Sequence, residues 1–268
     1  MSRVSIFDLA EKVLHAAEVD AKLDLTQQAA SCLQDGCFRC ALDGRKPLPI
    51  HRVVLPQRPE LVDPRHLARR RLNTQAGRAA LLHAVAHIEF TAIQLAWDHV
   101  YRFSGMPEAY YLDWAGVAIE EARHFSMIRA RLRNLDADYG DLPAHGGLWS
   151  IAVETSGDVL ARMALVPRFM EARGLDVTPS MIARLSAVGD EASVEILHVI
   201  LREEVGHVAL GSKWFAYVCG ERGLPLETSY LDLLGRYMKG APRGPYNTEL
   251  RLLAGFSRNE LDALAGLQ

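Results

Sequence analysis

Ile119-Glu120-Glu121-Ala122-Arg123-His124 and Arg202-Glu203-Glu204-Val205-Gly206-His207 repeat the pattern Glu-x-x-His in two distant parts of the chain. On an α-helix, residues three positions apart lie one above the other on the same face, so each stretch could bind one metal ion. One such pattern is weak support for a metal site, because both residue types are common on solvated helix faces. Two of them, each preceded by a further glutamate at nearly the same distance, indicate a repeated helical structure.

The spacing of the acidic residues repeats along the chain. Glu89 lies 32 residues before Glu121. Glu171 lies 33 residues before Glu204, and the two halves are offset by 82 or 83 residues. An interval of this length suits two antiparallel helices joined by a short turn. Turn-forming residues lie near its middle in both halves, at Gly105-Met106-Pro107 and at Gly189-Asp190.

Dinuclear carboxylate sites in four-helix bundles have a typical set of ligands. Two of the helices supply one glutamate each, and the other two supply a Glu-x-x-His motif. The sequence therefore predicts an all-α fold that holds two metal ions between four helices. Carboxylate and imidazole ligands suit two iron ions, or two manganese ions, whose charge would balance four mutually repelling acids. We expect two bridging glutamates and four ligands that bind one ion each. The bridging pair is Glu121 and Glu204, and the others are Glu89, His124, Glu171 and His207.

The ligand on the third predicted helix can be assigned to more than one acidic residue. Glu171 alone keeps the repeated spacing, whereas Glu154 and Asp158 are the alternatives on the same helix. A different hypothesis needs no metal, because the acids could pair with arginines in a buried ion-pair network. That network would not explain why each histidine follows a glutamate at a repeated offset. The arginines available for it are Arg123, Arg162, Arg168 and Arg202.

We predict three regions in the chain. Residues 1–72 form N-terminal helices and a proline-rich extended arm that packs on the bundle. Residues 73–222 form the four-helix bundle, and residues 223–268 form a C-terminal helical tail. The bundle helices are expected at residues 73–103, 107–136, 149–173 and 191–218.

Some residues within the predicted helices carry more specific expectations. Glu89 is the one acid on an apolar stripe, and a buried carboxylate needs a proton, a counter-charge or a metal. Pro167 removes a backbone hydrogen bond from the third helix, so we expect a kink or bulge there and the end of the helix at Gly174. His83 and His87 are expected to be exposed or beside the ligands, with direct metal binding as the alternative.

Composition limits the functions open to the chain. A net charge of −3 over 268 residues gives no global basic field for nucleic acid or an anionic membrane. No apolar run reaches the roughly 18 residues that suggest a spanning helix, and the N-terminus does not resemble a signal peptide. We therefore predict a cytoplasmic protein. A local cluster of arginines is expected to be a solvated helix face, with tRNA as an alternative partner: Arg65, Arg69, Arg70, Arg71 and Arg78.

The four cysteines do not predict a disulfide framework in a chain of this length. We expect Cys32, Cys37, Cys40 and Cys219 to be ordinary thiols. The alternative is a zinc or redox site, because Cys37 and Cys40 have Cys-x-x-Cys spacing and His51 follows them.

Seven short stretches of the chain match motifs of a known protein family. They are residues 81–83, 87–89, 120–125, 139–145, 171–176, 204–208 and 244–247. Together they resemble an uncharacterised bacterial family of ferritin-like proteins, a domain of unknown function within the di-iron carboxylate ferritin-like superfamily. The resemblance covers most of the chain from about residue 55 onward. It implies a ferritin-like four-helix bundle with the same six ligands, but it supplies no reaction, because a fold does not fix a function.

The leading hypothesis is a di-iron oxidoreductase that activates O₂ to oxidise or hydroxylate an unidentified small molecule. Such an enzyme would use an electron donor and could be a homodimer. The first alternative is an iron-binding protein of the ferroxidase type without substrate turnover. The second is a metal-free helical scaffold.

Overall fold

A computed structural model describes residues 3–41, 50, 54–67, 70–238 and 244–266 of the chain. These residues are predominantly helical, which confirms the predicted all-α class. The chain divides into two compact units, residues 1–153 and 154–268. Each unit contains one half of the glutamate and histidine repeat. Predictions for His51 and Arg69, and for parts of the proline-rich arm and the tail, fall outside the described residues.

Unit 1 is built around a long helical pair. Helices α3 (Gln75–Arg102) and α4 (Glu108–Arg133) pack against each other and are joined by only five residues, 103–107, so they run antiparallel. Helix α1 packs on α3 and helix α2 packs on α4. The remaining elements of this unit are β1 (Val4–Ser5), α1 (Ile6–His15), α2 (Val19–Gln34), β2 (Phe38–Arg39, parallel to β1), a 3₁₀ turn (Pro64–His66) and α5 (Gly147–Glu154), which ends at the boundary.

The first of the four long helices that the sequence predicts begins close to its expected position. Thr74 is the N-cap of α3, and its hydroxyl accepts a hydrogen bond from the backbone N–H of Gly77 at 3.1 Å. By length and composition alone α3 could cross a membrane, but 78% of its apolar window is buried inside the protein. A core helix of a soluble protein has the same properties, so α3 is weak support for a membrane span.

Unit 2 contains the largest departure from the predicted helices. The third helix does not run unbroken from 149 to 173, because Asp158 caps a new helix by accepting from the N–H of Leu160 at 3.0 Å. The expected end at Gly174 is also wrong, since this residue lies inside α7. The elements of unit 2 are α6 (Val159–Leu165), a π-helix (Val166–Glu171), α7 (Ala172–Ser186), α8 (Glu191–Glu221), α9 (Leu226–Tyr237), α10 (Thr248–Leu253) and α11 (Arg258–Gly266).

The bulge predicted at Pro167 is present as the π-helix. Proline cannot donate the backbone hydrogen bond of a regular α-helix, and its ring crowds the preceding turn, so the chain widens to the π form there. Gly211 of α8 makes room for this proline: a Cβ atom on Gly211 would lie 2.5 Å from Cβ of Pro167. The close packing of the π-helix on α8 therefore depends on a glycine.

The C-terminal tail is anchored to unit 2 by buried ion pairs. Arg168 of the π-helix donates to both carboxylate oxygens of Glu260 in α11, at 3.1 and 3.0 Å. Arg251 of α10 pairs with Asp176 of α7 at 2.8 Å, and both side chains are fully buried. The tail thus contacts the two elements that flank Glu171.

The expectation of four thiols is wrong for two of the cysteines. Cys32 and Cys37 form a disulfide, because the turn at Gly36 (φ +60°) brings the end of α2 back toward β2. Cys40 and Cys219 are free. With Cys37 in a disulfide, the Cys-x-x-Cys metal site is not formed. Structural disulfides are rare in reducing compartments, so this pair gives no support to the cytoplasmic prediction, which stays a prediction.

Candidate metal centre

Unit 1 brings three of the six predicted ligands together. Glu89 projects from α3, and Glu121 and His124 project from the same face of α4. The Nδ1 atom of His124 lies 3.3 Å from Oε2 of Glu89 and 3.4 Å from Oε2 of Glu121. One ligand atom from each residue lies within 4.8 Å of the others, and all three side chains are buried. This cluster could hold a metal ion.

The electrostatics of the cluster favour a positive charge between the carboxylates. Burial lowers the pKa of His124, but the two adjacent glutamates outweigh it and raise this pKa to about 11. The imidazole therefore carries a proton when no metal is bound. A metal ion can replace that proton and balance the same two carboxylates, which is how metal binding is coupled to deprotonation of a ligand.

Unit 2 reproduces the local geometry of the repeat. Nδ1 of His207 lies 3.5 Å from Oε1 of Glu204, one helical turn earlier on α8, and the histidine is buried. In the first stretch, Nδ1 of His124 lies 3.4 Å from the carboxylate oxygen Oε2 of Glu121. Both Glu-x-x-His stretches thus place the histidine nitrogen against the carboxylate of its own helix.

The alternatives for the third-helix ligand are in different surroundings. Glu171 is the last residue of the π-helix and is partly buried. Glu154 is exposed at the end of α5. Asp158 caps α6 and pairs with Arg222 at 2.8 Å. Among these three acids, Glu171 is therefore the best candidate for a ligand.

Three of the four arginines proposed as counter-charges contact a residue that is not a predicted ligand. Arg168 is paired with Glu260, and Arg202 lies 3.9 Å from Glu203 at the surface. Arg162 donates from Nε to the hydroxyl of Thr155 at 2.9 Å. Arg168 and Arg202 are therefore committed to residues other than the predicted ligands.

Three aromatic rings of unit 1 pack against one another, and sequence reasoning missed most of this arrangement. Phe90 follows Glu89 and Phe125 follows His124; both rings are fully buried, with centroids 5.3 Å apart. Tyr139, from the loop after α4, lies 5.2 and 5.0 Å from them. The signal that could have identified Tyr139 is the motif at residues 139–145.

His83 and His87 are buried, so the expectation that they could be exposed is wrong. His83 accepts from the N–H of Gly140 at 3.0 Å, and Nδ1 of His87 is hydrogen-bonded to the hydroxyl of Tyr139 at 2.9 Å. Burial lowers the pKa of both imidazoles, that of His87 to about 4. These neutral histidines fasten the loop after α4 to α3.

The fold and the cluster define a helical protein with a buried glutamate and histidine site that could hold a metal ion. The chain belongs to the family described as "Protein of unknown function (DUF455)", which matches residues 15–262. It is 44% identical over 217 residues to an "Uncharacterized protein" of Haemophilus influenzae, across 78% of this chain and 75% of that protein. No solved structure matches the chain. Membership of an uncharacterised family is confirmed, and the ferritin-like relationship stays a prediction.

Proposed function

We propose that this protein is a dinuclear-metal oxidoreductase with a ferritin-like four-helix bundle. It uses two iron ions and O₂ to oxidise or hydroxylate a small molecule, with an electron donor as partner. The observation that carries the proposal is the buried contact of Glu89 and Glu121 with Nδ1 of His124. The proposed ligands are Glu89, Glu121, His124, Glu171, Glu204 and His207.

The donor set of unit 1 fits a divalent ion of the iron or manganese type. Carboxylate oxygens and an imidazole nitrogen form a mixed oxygen and nitrogen environment, and no thiolate is among the three residues. Two buried carboxylates beside one histidine carry an excess of negative charge that a divalent cation offsets. Glu121 and His124 occupy successive turns of a well-packed helix, so their positions are fixed before any ion binds.

The second half of the proposed centre rests on the sequence repeat and on the matching geometry of Glu204 and His207. Glu171 completes the set, at the end of a π-helix. Insertions of this kind in α-helices are frequently found at functional sites, because the wider turn re-aims the side chains that follow it. Pro167 gives this chain a local cause for such a turn.

When bound, two ferrous ions would supply electrons and open coordination positions for O₂. The protein residues provide the surroundings that this chemistry needs. Glu89, Glu121 and His124 are buried away from water, which strengthens the electrostatic interactions within the cluster. Glu89 and Glu121 hold the imidazole of His124 in one orientation.

Metal content tests the proposal directly. Protein purified without chelators and measured by elemental analysis should contain about two iron or manganese ions per chain, as in two-metal sites. Glu121→Gln and Glu204→Gln should each lose most of this metal. The matched controls are Glu120→Gln and Glu203→Gln, because each removes the neighbouring carboxylate one position away and should retain the metal.

Oxygen consumption then separates the enzyme from its alternatives. An oxidoreductase loaded with iron should consume O₂ repeatedly when an electron donor such as dithionite-reduced ferredoxin is supplied in stoichiometric additions. A ferroxidase-type protein should consume O₂ only in proportion to added ferrous iron. Folded protein that contains no metal and takes up no ferrous iron would leave the scaffold as the remaining hypothesis.

A further inference from the structure

A cavity of about 260 Å³ lies in unit 1, on a face of α3 that the proposed metal centre does not use. Its α3 wall includes Ala80, Ala84, His87 and Thr91, which follow one another at intervals of three or four residues and so share one face. Glu89 follows His87 by two residues, which on an α-helix places it on nearly the opposite side. The cavity is therefore separate from the Glu89, Glu121 and His124 cluster.

The opposite wall of the cavity is a loop that the protein holds in place by hydrogen bonds. Leu142, Pro143, Ala144 and His145 line the cavity. The backbone of Ala144 is fixed at both polar groups, since its N–H donates to the carbonyl of Glu60 at 2.9 Å and its carbonyl accepts from Val62 at 2.8 Å.

Two buried histidines complete the attachment of this loop. His83 binds the N–H of Gly140, and His87 binds the hydroxyl of Tyr139. These hydrogen bonds hold the loop against α3, so this wall of the cavity is formed before any ligand binds.

The ionisable side chains at the cavity are those of arginine and histidine. Arg70, His66 and His145 line it together with apolar side chains, and none of its described lining residues is acidic. Within the described part of the chain, no carboxylate pairs with Arg70. Arg65, from the same arginine cluster, differs, because its guanidinium binds Asp63 at 2.9 Å. Only one of these two arginines is thus neutralised by a neighbouring acid.

We propose that this cavity binds a small apolar monocarboxylate, with its carboxylate at Arg70 and its hydrocarbon part between α3 and the loop at residues 142–145. The apolar walls exclude a strongly hydrated anion such as inorganic phosphate, and the arginine matches a planar carboxylate. The volume equals that of roughly nine water molecules at about 30 Å³ each, which fits an acid of about eight non-hydrogen atoms. The site does not depend on the metal centre.

Hexanoate is the probe for this site, and hexanamide is its neutral counterpart of the same shape. Amide chemical shifts of ¹⁵N-labelled protein should respond saturably to hexanoate at residues 84–91 and 140–146. Arg70 is exposed, so Arg70→Gln should weaken the binding about two- to fivefold, the loss expected for one exposed charge pair, and hexanamide should bind the unaltered protein as weakly. Ala84→Phe fills the cavity from an exposed helix position and should abolish the response.

Arg65→Gln is the matched control, because it removes a neighbouring arginine that is already paired with Asp63. It should leave the affinity for hexanoate unchanged. Equal affinity in the Arg70→Gln and Arg65→Gln proteins, or an undiminished response in Ala84→Phe, would overturn the proposal. The proposal is also overturned if hexanoate causes no saturable shifts at these residues in the unaltered protein.

Discussion

Gly211→Ala tests whether the π-helix depends on its close approach to α8. The added Cβ atom would lie 2.5 Å from Cβ and 2.7 Å from Cγ of Pro167, so the proline or the helix must move. Overpacking of this kind costs about 1–3 kcal/mol, whereas alanine in place of glycine inside a helix gains about 1 kcal/mol. The net expectation is a loss of roughly 0–2 kcal/mol in the free energy of unfolding.

Gly206→Ala supplies the control on the same helix. Gly206 is exposed, and an added Cβ atom would meet no described atom within 4 Å. This variant should therefore gain up to about 1 kcal/mol, so that the two substitutions differ by about 1–3 kcal/mol.

Urea unfolding measures this difference. Far-ultraviolet circular dichroism follows all helices, and tryptophan fluorescence includes Trp214, which is buried in α8. The measurements need a chelator, because Gly206 lies between the proposed ligands Glu204 and His207. If Gly211→Ala raises the urea midpoint as much as Gly206→Ala does, the contact with Pro167 carries no energy and the reasoning is refuted.

Two further predictions concern buried charge. Glu260→Gln leaves the guanidinium of Arg168 buried without its counter-charge and should lower the stability of unit 2 by about 3–5 kcal/mol in thermal unfolding. Arg202→Gln, which removes only an exposed pair, should change it little, and equal effects would contradict the reasoning. The second prediction follows from burial, which lowers the folded-state pKa of His87 to about 4 from an ordinary value of 6.5. The unfolded chain therefore binds the proton first, and stability should fall as the pH drops from about 6.5 toward 4. His87→Gln should reduce this slope by up to about 1.4 kcal/mol per pH unit in urea titrations, and an unchanged slope would count against a buried neutral histidine.

The prediction succeeded for helices whose signals are local. The first, second and fourth of the four predicted long helices start within two residues of the expected positions, at Gln75, Glu108 and Glu191. Each has a long amphipathic or apolar pattern and a clear N-terminal turn. The bulge at Pro167 was also predictable, because the missing N–H is a property of the residue itself.

The prediction of the third helix was wrong because its local signals conflict with one another. Its sequence contains competing local signals, and Gly174 was interpreted as a helix end although glycine in a helix interior costs only about 1 kcal/mol. Packing of α7 on α8 outweighs that cost. Asp158 was considered as a metal ligand, whereas its nearest contacts make it a helix cap.

The sequence by itself determined the all-α class, the repeated spacing and the placement of each glutamate and histidine pair on one helix face. These properties follow from the period of the α-helix, which relates residues only three or four positions apart and can therefore be recognised in the sequence. Only the tertiary structure decided that the carboxylate of Glu89 meets His124 across two helices, that Pro167 packs on Gly211, and that His83 and His87 hold a distant loop. Such contacts join residues tens of positions apart, and they exist only because burial of apolar side chains brings the helices together.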